Sequence, residues 1–188
     1  GVVSLVVGPT AATYDVLMKS PVVRKVSLTG SSSVGQQMLR DVAQTFKRAT
    51  MELGGNAPVI VFDDANLEAA LDFCVAVKFA NAGQVCVTGD RFYVHESLHS
   101  KFVDGFAARA KALKLGHGLD ESSQMGPLIN ARRVAAIDGI VADARKRGGQ
   151  IVTGGERPSD KNKGFFYLPT VISGLPDDAM ALAEENFG

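Results

Sequence analysis

Apolar residues recur along this chain with two alternating periods. Residues 2–7 are nearly continuous Val and Leu and predict a buried strand, which Gly8-Pro9 stops. Residues 11–19 fit a short helix ended by Ser20-Pro21, because the residue before proline is pushed out of the helical region. A second strand is expected over 22–29, then a Gly/Ser loop, then a helix over about 35–46. The fully apolar run 59–62 reads as a central strand. The residues 63–66, Asp-Asp-Ala-Asn, supply capping side chains for a helix over 67–79. Residues 91–94 form a strand-like run, and Ser97 is placed as the N-cap of a helix over 98–113. After a Gly-rich loop over 115–127, Asn130 caps a helix to about residue 147, apolar at Val134, Ile137, Ile140 and Val141. Gly148-Gly149 ends it. A strand over 150–153, a polar surface turn over 154–164, extended chain to 172 and a short helix over 179–184 complete the pattern. Strands alternating with helices predict an α/β fold: a three-layer, mostly parallel sheet with helices on both faces.

Composition narrows the classes. Of 188 residues, 46% are hydrophobic and 21% charged, as in a globular protein with a substantial core. Formal net charge is zero, so no basic face for nucleic acid is expected. The apolar runs are too short to span a bilayer, so no membrane partner is expected either. Two cysteines, Cys74 and Cys86, make no disulfide framework and point to a reducing, cytoplasmic setting. The first residues, GVV with no initiator Met, and the abrupt end at Gly188 read as cuts through a longer protein.

Four stretches carry candidate chemistry. The loop NAGQVC (81–86) joins a helix to a strand and ends on Cys86. A thiol presented there, near free backbone N–H groups, becomes a nucleophilic thiolate; buried, it is a small hydrophobe, as Cys74 is expected to be. The segment ELGGNAP (52–58) sets Glu52 beside paired glycines. It is either a general base whose pKa partial burial raises, or a solvated turn acid. The loop GSSSVG (30–35) lies between a strand and a helix, where backbone N–H groups can receive a phosphate; a plain βα turn is the alternative. Its glycines have Walker A spacing, but Gln36-Gln37 stand where Lys then Ser/Thr are required, and G-x-G-x-x-G is absent. Finally, HESLH (95–99) matches H-E-x-x-H. His95 falls outside the predicted helix and no third ligand is evident, so no metal site is expected.

Together, Leu28-Thr29-Gly30-Ser31, Glu52-Leu53-Gly54-Gly55, Gly83-Gln84-Val85-Cys86 with Arg91, and Glu185-Asn186-Phe187-Gly188 closely resemble the motifs of the aldehyde dehydrogenase superfamily, in its order and at about its spacings. Residues 125–130, MGPLIN, also resemble a recurrent segment of the family. The resemblance implies that residues 1–51 end an NAD(P)-binding domain of Rossmann-like fold and that 52–188 are most of the catalytic domain. It implies that Cys86 attacks an aldehyde to give a thiohemiacetal, that a hydride passes to NAD or NADP, and that Glu52 activates the water that hydrolyses the thioester. The Cys86 backbone N–H would hold part of the oxyanion. Gly30 and Ser31 would contact the cofactor pyrophosphate, with Val34 near the adenine. Leu53, Gly54 and Phe187 would lie near the nicotinamide, and Glu185 on its ribose. A homo-oligomer is implied for the full-length protein.

Family members are considerably longer, and their Pro-Trp-Asn oxyanion segment has no counterpart here, the chain having no Trp. The fragment alone is therefore expected to be inactive. The ELGGNAP form resembles the succinate-semialdehyde branch, but Ala80 stands where that branch carries a carboxylate-binding Arg six residues before the nucleophile. An aldehyde with no carboxylate fits as well, as does one bound by an Arg outside this fragment. The competing class is a non-catalytic, structural or binding member of the family.

Overall fold

The computed structural model describes residues 1–161 and 163–188. Asn162, inside the turn expected over 154–164, lies outside the described residues. The chain divides into two units, Gly1–Gly54 and Gly55–Gly188, and the fold class is α/β, with parallel strand pairs and covering helices.

The first unit contains α1 (Thr10–Lys19), β1 (Lys25–Thr29), α2 (Ser32–Ala43) and β2 (Arg48–Glu52). β1 and β2 run parallel from Lys25 opposite Arg48 to Thr29 opposite Glu52. Alternation puts Val26 and Leu28, Ala49 and Met51 on the inner face, against Met18, Met38 and Val42. Met38 and Val42 share one face of α2 with Gly35. Helix α2 begins three residues before its expected start, because the Ser31 hydroxyl accepts the Val34 N–H at 3.4 Å and caps it. It stops short of Phe46, whose φ of 53° leaves the helical region. The buried Lys47 is satisfied by the carbonyls of Ser20 and Val23, at 2.6 and 2.9 Å. The strand expected over 2–7 is not formed: Val2, Val3, Leu5, Val6 and Val7 are all exposed. A strand needs a neighbour for its N–H and C=O groups, and among the described residues β1 and β2 pair only with each other.

The second unit contains β3 (Ala57–Val61), α3 (Leu67–Phe79), β4 (Gly89–Val94), α4 (Glu96–Ala112), α5 (Ala131–Lys146), β5 (Gln150–Thr153), β6 (Val171–Ser173) and α6 (Met180–Ala183). β3 and β4 are parallel; β5 and β6 are antiparallel. Residues 59–62 are not a central strand. Among the described residues β3 pairs with β4 alone, and Ile60 and Phe62 are exposed while Val61 is core. Asn66 and Asn130 cap α3 and α5 as expected, accepting the N–H of Ala69 and Arg133 at 3.1 and 3.0 Å. Helix α4 begins at Glu96 rather than 98, because the His95 ring, not Ser97, is the cap: Nδ1 accepts the Ser97 N–H at 3.3 Å.

The core of this unit joins Leu71, Cys74, Val75 and Phe79 of α3 to Phe102, Phe106 and Ala110 of α4 and to Val134, Ile137, Ile140 and Val141 of α5. Phe92 of β4 sits 5.0 Å, ring centre to ring centre, from Phe106. Gly105 lets α3 approach α4, since a Cβ there would lie 2.6 Å from Leu71. Arg109 crosses the same interface to Glu68 and Asp72. Among the described residues, no helix is long and apolar enough to cross a membrane.

Candidate active site

Helix α3 ends in a tight left-handed turn. Asn81 and Ala82 have φ of 51° and 55°, and Gly83 follows at 74°. Such a run costs an L residue energy and persists only where the surroundings fix it. Here the turn is tied back on itself. Asn81 Nδ2 donates to the Gln84 carbonyl and Gln84 Nε2 donates to the Asn81 carbonyl, each at 3.0 Å. The chain then turns again, the Thr88 N–H reaching the Val85 carbonyl at 3.2 Å. Cys86 rides on this second turn with its side chain exposed, while Cys74 is buried in the core of α3. Burial pushes the Cys74 thiol above the ordinary range and keeps it protonated. Behind Cys86, the buried Thr88 hydroxyl donates to the Val77 carbonyl at 3.0 Å and anchors the turn to α3.

Gly55 and Asn56 meet this turn from the start of β3. A Cβ on Gly55 would stand 2.7 Å from the Cys86 carbonyl oxygen, so only glycine allows the approach. Arg91 of β4 donates from Nε and Nη2 to the Asn56 carbonyl, at 3.0 and 2.7 Å. The Asn56 amide donates to the carbonyls of Leu182 and Glu184, at 3.1 and 2.6 Å. The Gly55 N–H donates to the Glu185 carboxylate at 3.3 Å. Two neighbouring residues, Gly55 and Asn56, thus join the cysteine turn, β4 and the segment after α6. That segment is fixed further along. Arg133 of α5 donates to the Asn186 carbonyl at 3.1 Å and lies 5.8 Å over the Phe187 ring. Lys78 donates to the Gly188 carbonyl at 3.1 Å and pairs with the carboxylate of Asp90, whose side chain is shielded from solvent.

In the first unit, Gly30, Ser31 and Val34 are exposed around the N-terminus of α2. The Gly30 N–H extends the β1–β2 ladder to the Glu52 carbonyl at 3.0 Å. The groups left to face an anion are therefore the first-turn N–H groups at Ser32 and Ser33, which no intrahelical carbonyl can take. Leu53 packs on Gly35, where a Cβ would come within 2.6 Å of it. Glu52 is exposed rather than partly buried: β2 alternates, and Ala49 and Met51 take the inner face. Gly54 closes this unit.

The structure brings Cys86, Gly55 and Glu185 together within the second unit, and Gly30, Ser31, Glu52 and Leu53 along the β1–β2 edge of the first. The free thiol suits nucleophilic attack on a carbonyl carbon, and the capped helix terminus of α2 fits the phosphates of a dinucleotide. Sequence reasoning passed over Asn56, Lys78 and Arg133 as structural groups. The carbonyls that their side chains bind after α6 lie 53 to 128 positions away and leave no local pattern.

Comparison with known proteins adds a family, two relatives and a solved structure. The sequence matches the family described as "Aldehyde dehydrogenase family" over residues 1–188. It is 41% identical over 187 residues to a succinate semialdehyde dehydrogenase of Acinetobacter baylyi, covering 100% of this chain and 38% of that protein. It is 39% identical to a 3-sulfolactaldehyde dehydrogenase of Pseudomonas putida, again over 100% of this chain and 38% of the relative. A crystal structure of betaine aldehyde dehydrogenase from Staphylococcus aureus in complex with NAD+ superposes with a TM-score of 0.93 at 34% identity, covering 97% of this chain and 37% of that one. The chain therefore spans well under half the length of these relatives.

Proposed function

This chain belongs to the aldehyde dehydrogenase family, and from that premise we propose that the complete protein oxidises an aldehyde to a carboxylic acid with NAD or NADP, using Cys86 as nucleophile. One observation supports this most: of the two cysteines, Cys86 alone is exposed, on a turn whose carbonyl is packed against Gly55. Residues 1–51 are the end of the NAD(P)-binding domain and 52–188 the nucleophile-bearing domain. The Cys86 thiolate attacks the aldehyde carbon, and its backbone N–H donates to the oxyanion that forms. The dinucleotide, when bound, supplies the hydride acceptor. Glu52, exposed to solvent at the end of β2, takes the proton of the water that releases the acid. Ser31 and the first turn of α2 hold the phosphates, with Gly30 and Val34 beside them. Glu185, braced by the Gly55 N–H, holds the nicotinamide ribose, and Leu53, Gly54 and Phe187 flank the nicotinamide.

The substrate we propose is a small aldehyde with an anionic tail, since the names of the relatives pair succinate semialdehyde with 3-sulfolactaldehyde. With Ala80 exposed where a guanidinium is expected, the tail is bound by a group outside these 188 residues. Turnover of succinate semialdehyde by the complete protein should exceed that of butyraldehyde at equal concentration. Equal turnover would rule out a tail-binding group. The activity itself is tested by Cys86→Ser in the complete protein, which should abolish NAD(P)H production; retained turnover would end the assignment. The 188-residue chain alone should produce no NAD(P)H above background.

A further inference from the structure

The Gln84 side chain is fully engaged, and neither of its partners belongs to the reacting centre. Its Nε2 donates to the Asn81 carbonyl at 3.0 Å, and its Oε1 accepts the Ile129 N–H at 2.9 Å, 45 positions away. Its own backbone N–H reaches the same Asn81 carbonyl at 3.2 Å. Together with the reciprocal Asn81 Nδ2 bond to the Gln84 carbonyl, this amide closes the left-handed turn, and it ties the turn to the loop that enters α5. The loop is itself held, the Leu128 N–H donating to the Phe165 carbonyl at 3.0 Å. On the far side of the cysteine, Thr88 is fixed to Val77. Cys86 is thus suspended between two anchors. The downstream one is a hydroxyl buried against α3; the upstream one is the Gln84 amide.

The turn needs such an anchor. The positive φ of Ala82 costs energy that a glycine would not bear and an asparagine would bear only in part. Removing the clasp lets residues 81–83 relax toward ordinary backbone angles, and this moves the position from which Cys86 projects. We propose that Gln84 is a positioning residue for the nucleophile. It sets where the Cys86 sulfur stands, through the Asn81–Gln84–Ile129 bridge, without touching substrate or cofactor. This rests on the reading of Cys86 as the nucleophile.

The test uses the complete protein with Gln84→Met, which keeps length and removes both hydrogen bonds, and Gln84→Glu, which keeps the acceptor for Ile129 and loses the donor to Asn81. Three quantities are read: kcat, the KM for the dinucleotide, and the iodoacetamide alkylation rate of Cys86 relative to Cys74 by peptide mass. A misplacement of the order of 1 Å costs about 100-fold in rate. The expected result is a fall of about 10-fold or more in kcat and a changed Cys86 alkylation rate in Gln84→Met, with dinucleotide KM within about twofold of wild type. Gln84→Glu should fall between. Wild-type kcat and alkylation in a folded Gln84→Met protein would overturn the proposal, as would a loss confined to dinucleotide KM. If neither variant folds, hydrogen exchange in the wild type decides. Ile129 is 71% exposed, yet its amide should be protected by Gln84; rapid exchange at Ile129 would overturn the bridge. Cys86→Ser distinguishes the two readings. If that variant turns over, the nucleophile assignment fails, whereas the alkylation and exchange data still report whether Gln84 positions residue 86.

Discussion

Gly55→Ala adds one methyl group where the structure has no room for it. The new Cβ would lie 2.7 Å from the Cys86 carbonyl oxygen, about 0.7 Å inside ordinary contact at 3.4 Å. The obstructing atom is backbone, so no side-chain rotation relieves the clash. Gly55 does not adopt a positive φ, so the effect is steric and not conformational. Two displacements can restore contact. Either the Cys86 turn retreats, or the Gly55-Asn56 segment moves and carries with it the hydrogen bond to Glu185. Overpacking of this kind costs about 1–3 kcal/mol in stability. A shift of this size at a nucleophile costs roughly 10- to 100-fold in turnover, scaling from about 100-fold for 1 Å. Measured in the complete protein, kcat should drop by that factor while the melting transition stays cooperative and falls by only a few degrees. Wild-type kcat in Gly55→Ala would show that the close approach to Cys86 has no part in placing the thiol.

Two further substitutions test the scaffold. Asn56→Ala removes the donor to the Leu182 and Glu184 carbonyls. It should cost about 1–3 kcal/mol by leaving acceptors unpaired, and dinucleotide affinity measured by fluorescence titration should weaken with it. Asp143 on α5 is held below the usual carboxylate range, chiefly by Arg147, with the Met180 N–H at the start of α6 as a further cause. A depressed folded value means that this stabilisation is complete above the unfolded carboxylate pKa and is lost as pH falls through the folded one. Acid titration of stability should therefore be less steep below about pH 4 in Asp143→Asn than in wild type; identical acid limbs would contradict the role of the Asp143 contacts.

Much of this was legible in the sequence because it is local. Caps at Asn66 and Asn130 and the apolar face of α5 follow from residue type and period. So does the contrast between a cysteine inside an apolar helix and one on a Gly-containing turn. What was illegible is non-local. Residues 2–7 are as apolar as a strand but pair with no strand among the described residues. Residues 59–62 look central yet form one edge of a pair, with Ile60 and Phe62 on an uncovered face. An imidazole replaced a hydroxyl as the α4 cap because His95 Nδ1 can accept a hydrogen bond as well as a serine can. The reading of Glu52 as a partly buried acid failed on strand alternation: the neighbours at 49 and 51 fill the inner face, so residue 52 faces out. Asn56 and Arg91 were visible as letters in two motifs; that they hold those motifs against one another needed the coordinates.

In the proposed mechanism Cys86 carries the acyl group and Glu52 releases it. Glu52→Gln keeps the shape of the side chain and removes the base, so the thioester on Cys86 should outlive its formation. The complete Glu52→Gln protein, mixed with aldehyde and NAD(P) and quenched in acid, is digested and its peptides weighed. The acyl mass should appear on the peptide containing Cys86 and not on that containing Cys74, with steady-state turnover reduced by about 100-fold or more. An unmodified Cys86 peptide together with undiminished turnover would contradict this mechanism.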